Sequence, residues 1–158
     1  MSIDLEALVN APVTEKLDTT FEVTPAGEYT ATIGDRTPVT EWFHSVTLKD
    51  GREAPQCNIV FVINDADLAK SLGRREATTR LTLWLDVEAG RIDTGRGKNI
   101  GLGQLRRALG QEDDREWTWS KLPGAGPIKI LTEVQVGKNG AKYSNVVRVG
   151  KLNEALKR

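Results

Sequence analysis

The sequence predicts a mainly β chain that closes into a barrel of five or six strands, with one or two short helices. Three stretches carry that expectation. Residues 126–150 read as two β-type runs flanking Asn139-Gly140, a dipeptide suited to a type I′ turn because both central residues need positive φ. Thr78 to Val87 alternates, with Leu81, Leu83, Leu85 and Val87 on one face and Thr82, Trp84 and Asp86 on the other. Ile59 to Ile63 is apolar throughout and bounded by Pro55 and Asn64-Asp65, as a buried strand would be.

Residues 1–20 lack aromatics and mix acidic with aliphatic residues, which predicts a flexible arm with at most two helical turns over Ile3 to Asn10. The folded domain is expected over 21–151. Its first strand follows Phe21 and Pro25-Ala-Gly27 and carries β-branched residues at alternate positions up to Ile33. Thr40 to Leu48 reads as the next strand, closed by Lys49-Asp50-Gly51-Arg52. Asp65 to Glu76 reads as a helix, acidic at its start and basic near its end, in keeping with the helix dipole. A second short helix runs from Leu102 to Leu109 and stops at Gly110. Ile128 to Val136 and Tyr143 to Val149 are the last two strands, and residues 152–158 form a short tail. Strands, a helix, then a basic-tipped hairpin with Lys138 and Lys142 is the element order of a small oligonucleotide-binding (OB) barrel.

Composition bounds the function. At 158 residues, 39% hydrophobic and 28% charged, the chain suits one domain with its own core. No run approaches the roughly 18 apolar residues of a membrane span. The acidic start has no basic leader region, and Cys57 is the lone cysteine, so a reducing cytoplasmic setting is expected. Net charge is zero, but residues 1–89 hold 8 Lys/Arg against 15 Asp/Glu, while residues 90–158 hold 14 against 7. Such a split either gathers into one basic surface or solvates separate strands.

Catalytic and metal chemistry find little support. His44 is the lone histidine, and no Gly-x-Ser-x-Gly turn supplies a nucleophile for it. One cysteine and one histidine cannot build the usual thiolate–imidazole zinc site, so neither cofactor nor metal is expected. Asp65/Asp67 and Asp113/Asp114 are accounted for by helix capping and loop solvation. Gly90 to Gly95 has the first spacing of a phosphate loop, but Arg96-Gly97 stands where Lys-Ser/Thr is required. What remains there is a glycine-rich loop with Arg91, Arg96 and Lys98, suited to phosphates of any sequence.

The aromatics divide. Trp84, on the polar face of its strand, either stacks bases or meets a second apolar layer. Trp42-Phe43 straddles its strand, so one ring is expected outside and one inside. Trp117, Trp119 and Tyr143 are expected in the core.

Taken in order, Pro25-Ala-Gly27-Glu-Tyr29, the apolar middle strand, Asn99-Ile-Gly-Leu-Gly-Gln-Leu-Arg-Arg-Ala-Leu-Gly110 and Lys142-Tyr143-Ser-Asn145-Val-Val-Arg148-Val resemble phage-encoded single-stranded-DNA-binding proteins of OB fold. The likeness spans roughly residues 21–151. It implies a non-catalytic barrel that coats single strands in replication or recombination, in the host cytoplasm, alongside replication or recombination proteins or as a homo-oligomer. The chain departs from that family in its neutrality and in ending Asn-Glu-Ala-Leu-Lys-Arg rather than in an acidic tail. The DNA-binding residues expected are Trp42, Phe43 and Trp84 for bases, with Arg91, Arg96, Lys98, Lys138, Lys142 and Arg148 for phosphates. The other reading is a phage accessory or structural module that contacts proteins and no nucleic acid.

Overall fold

A computed structural model describes residues 3–16 and 22–156; Phe21, at the expected start of the domain, and the last two tail residues lie outside them. Five strands close a ring. β1 (Gly27–Ile33) pairs antiparallel with β3 (Glu53–Ile63), and β3 with β4 (Ala77–Trp84). β4 runs parallel to β8 (Lys142–Gly150), β8 pairs antiparallel with β7 (Ile128–Val136), and β7 returns to β1. β2 (Phe43–Thr47) is added outside the ring on the first half of β3. The helix α3 (Ile100–Ala108) lies between β4 and β7 in the chain. This is an OB-like barrel. Its β4–β8 seam is the loosest, with Arg80 opposite Asn145 as the registered pair and a Thr79–Ser144 hydroxyl bond of 2.8 Å beside it.

The period of two fills the barrel. Cys57, Ile59, Phe61 and Ile63 of β3 are buried, as are Ala77, Thr79 and Leu83 of β4 and Ile128, Ile130 and Thr132 of β7. Leu102, Leu105 and Ala108 turn one side of α3 onto this core. Gly101 lets the helix approach, because a Cβ there would stand 2.9 Å from Leu83 Cδ2. Burial pushes the Cys57 thiol up to about 12, so it behaves as a core residue.

Several expectations are corrected. Ile59 to Ile63 is the end of an eleven-residue strand with only one face inside, and Val60 is exposed. The stretch before Phe43 is a 3-10 turn over Val39–Trp42, not strand. The helix expected over 65–76 is the shorter α2 (Ala66–Ser71), capped by Asp65 Oδ1, which accepts from Leu68 N. Val87 leaves the Leu81–Leu83–Leu85 face, because β4 ends at Trp84 and Val87 opens the small β5–β6 hairpin (Val87–Glu88 and Arg91–Ile92). The last hairpin has no type I′ turn. Gly140 N donates to Gly137 O, and Gly140 takes φ 81° while Asn139 stays at negative φ. The connection is a three-residue loop with a left-handed glycine. A bulge at Val147 then flips the strand's alternation, so Tyr143 faces out, away from the core where Val146 lies.

The helix α1 (Leu5–Asn10) has no buried residue; Asp4 caps it by accepting from Ala7 N. At the other end, Leu156 N donates to Glu28 Oε2, which holds the described tail against β1. Among the described residues no helix is long and apolar enough to cross a membrane.

Candidate nucleic-acid interface

Because odd-numbered residues of β3 fill the barrel, its even-numbered residues form the outer face, and register carries that face across three strands. Gln56 stands opposite both His44 of β2 and Trp84 of β4, giving a row His44–Gln56–Trp84. The next rows are Asn58–Thr82, Val60–Arg80 and Val62–Thr78. Trp84 is 52% exposed, so no second apolar layer covers it. Asn58 Nδ2 donates to Gln56 Oε1 at 3.1 Å, and Thr82 Oγ1 donates to Asn58 Oδ1 at 2.9 Å. The first bond ties the two amides along β3 and the second ties Asn58 across to β4, beside the indole. An exposed aromatic, a histidine ring and flat amides in one row offer a surface on which planar groups can lie.

Two cavities continue from these rows. One, of about 430 Å³, is lined by Trp42, Asn58, Val60 and Val62 and rimmed by the loop carrying Asp35, Arg36 and Glu41. The other, of about 240 Å³, is lined by Arg74, Arg80, Lys142 and Tyr143. Val60, Thr78 and Arg80 line both, so the two form one groove over β3 and β4. Its ends differ in charge. The first holds Asp35, Glu41 and Glu76 against Arg36 and Arg80, with Arg36 paired to Glu76 at 3.1 Å. Among the described residues, Arg74, Arg80 and Lys142 are the only charged residues lining the second. Arg80 and Lys142 have no ion-pair partner among the described residues.

The residues expected from sequence separate accordingly. Lys142 lines the groove, and Trp84 stands on the same outer face, in the row of Gln56 and His44, without lining either cavity. Lys138 is exposed at the tip of the β7–β8 hairpin, beside it in the chain. Trp42 is 5% exposed and its indole N–H donates to Thr37 O, so it forms a wall of the cavity, not an outer stacking ring. Phe43 is half-buried and packs edge-on against Trp119 at 4.9 Å. Trp119 in turn meets Trp117, over which Arg106 stands at 4.8 Å, and both indoles are half-buried. Arg148 lies with Gln104, Arg107 and Glu154 beside α3 and the tail and lines neither cavity of the groove.

Arg91, on β6, and Arg96 and Lys98, on the loop that follows it, are exposed beyond β4. That loop is clamped by Asn99. Its Nδ2 donates to Asp86 O and Asp93 O, its Oδ1 accepts from Asp86 N, and its own N donates to Asp86 Oδ2. Asp86 is two residues beyond Trp84, so these three cations project from a segment tied to that end of the sheet. Sequence reasoning missed Arg80, although the alternation that exposes Trp84 exposes position 80 too. His44, Arg36, Arg74 and an outward Tyr143 were also missed. Among the described residues no cluster of histidine, cysteine and carboxylates could hold a metal ion.

No protein-family model, curated protein or solved structure matches the chain.

Proposed function

We propose that this chain binds single-stranded DNA, largely irrespective of sequence, across the outer face of β2, β3 and β4. The observation that carries the reading is the exposed Trp84 in register with Gln56 and His44, on the barrel face that continues to Arg80 and Lys142. In OB barrels the corresponding strands and the final hairpin loop flank the ligand. Bases stack on Trp84, and Arg80, Lys142 and Lys138 hold phosphates, with Arg91, Arg96 and Lys98 extending the contact past the end of β4. The likeness to phage single-stranded-DNA-binding proteins supports DNA as the strand and coating during replication or recombination as the role. In this reading the chain itself does no catalysis.

Fluorescence anisotropy with a labelled mixed-sequence 15-mer tests it. Binding at micromolar protein in low salt is expected. With six phosphates neutralised, log affinity should fall against log salt with a slope of about −4. A matched duplex should bind more weakly, because its bases are not free to stack. Absence of binding at micromolar protein overturns the reading. A protein-docking module is the second reading, favoured by the exposed Leu5, Leu8 and Val9 of α1. Indifference to DNA together with concentration-dependent assembly in light scattering would support it.

A further inference from the structure

The two ends of the groove cannot treat a nucleotide alike. The Arg74–Arg80–Lys142 end attracts phosphate. The Trp42 end is mixed: Arg80 reaches it as well, but the Asp35 and Glu41 carboxylates have no hydrogen-bond or ion-pair partner among the described residues, and the adjacent Arg36 is already paired with Glu76. Yet this end is the more enclosing one. At about 430 Å³ it falls within the range of small-ligand sites, and Trp42, Val60 and Val62 give it apolar walls. A cavity with apolar walls and free carboxylates at its rim fits a flat, neutral group that presents N–H donors.

We infer that this cavity seats an unstacked nucleobase and selects for an exocyclic amine, favouring cytosine over thymine. The inference rests on the single-strand reading above. Ionised carboxylates only accept hydrogen bonds. Cytosine offers its N4 amine as a donor at the position where thymine presents the O4 acceptor. At that position a thymine sets its O4 against Asp35 or Glu41 and keeps only its N3–H to offer them, whereas the cytosine or adenine amine donates there directly. The strand then runs with its phosphates beside Arg80 and Lys142 and turns one base across Val60 toward Trp42. Selection is modest because both carboxylates are exposed. Charge-assisted hydrogen bonds at such a site give a preference of about three- to tenfold.

The experiment is an anisotropy titration of labelled dC and dT 15-mers, which differ at the selected position and share pyrimidine flexibility. The wild type should bind the dC strand about three- to tenfold tighter. The Asp35→Ala/Glu41→Ala variant should bind both strands equally, with affinity for dT unchanged or raised because repulsion of phosphates is relieved. Glu41→Lys replaces an acceptor with a donor and should turn the preference toward thymine. Equal affinity of the wild type for both strands overturns the inference and leaves single-strand binding standing. A cytosine preference that survives in both variants also overturns it. Failure of the wild type to bind either strand removes the single-strand reading and the inference with it.

Discussion

The inner and outer faces of β3 and β4 are built from the same backbone and do opposite things. Inside, Cys57, Ile59 and Phe61 are fully buried and Leu83 nearly so. Outside, one residue away in each case, stand Gln56, Asn58, Val60, Arg80 and Trp84, all open to solvent to some degree. The inner face is apolar packing apart from Thr79, whose hydroxyl is bonded to Ser144. The outer face mixes amides, threonine hydroxyls, two valines, an indole and a guanidinium with no ion-pair partner among the described residues. Stability and recognition therefore sit on opposite sides of a single sheet layer, and substitutions on the two sides should separate cleanly.

The largest effect is expected inside. Phe61→Ala removes a fully buried ring from the barrel centre and should cost about 3–5 kcal/mol in urea denaturation. A loss well under 1 kcal/mol would mean that the barrel interior is not the packed core described.

Outside, Trp84→Ala should weaken single-strand binding by about 1–3 kcal/mol, with a thermal midpoint close to that of the wild type. If the variant unfolds while DNA affinity per folded molecule is kept, the indole supports the fold and the two faces are not separable. A smaller contrast follows between two basic residues of β8. Lys142→Ala should flatten the salt dependence of binding by about 0.7 in slope, the share of one phosphate. Arg148→Ala, beside Arg107 and Glu154, should leave that slope unchanged.

The smallest effect lies away from both faces. A hydrogen bond from Lys121, 2.6 Å away, is the main cause holding the Asp114 carboxyl below its usual range, helped by the Glu116 amide. Glu28 is lowered in the same way, first by Lys129 and then by the Leu156 amide. A carboxylate with a lowered folded-state pKa stabilises the fold above its unfolded value and loses that contribution as pH falls through the folded value. Asp114→Asn should therefore be slightly less stable than the wild type at neutral pH. The gap in urea midpoint should close below the carboxylate range. A gap that does not change with pH would place the effect elsewhere.

How much of this was legible in the sequence follows from the range of each interaction. Strand alternation is local, so Leu81 and Leu83 inside and Trp84 outside could be read directly, as could the final hairpin's position and the short helix before it. Arg80 was readable by the same rule. Trp42 was not, because its burial depends on a 3-10 turn that folds the indole back to Thr37 O. Tyr143 was misread because a single extra residue at Val147 reverses which face each β8 residue joins. The row His44–Gln56–Trp84 needs the register of two strand pairs at once, and no single stretch contains both. Charge counting along the chain locates only part of the groove. The basic second half of the chain supplies Lys142 to the groove but places Arg148 beside Arg107 and the tail, whereas Arg74 and Arg80 of the groove come from the acidic first half.

Amide chemical-shift mapping of the isotope-labelled protein during titration with a single-stranded 15-mer tests the central assignment most directly. The account predicts that shifts concentrate on His44, Gln56, Val60, Arg80, Trp84 and Lys142. Perturbations gathered instead around Gln104, Arg107 and Arg148, or none at saturating strand, would contradict it.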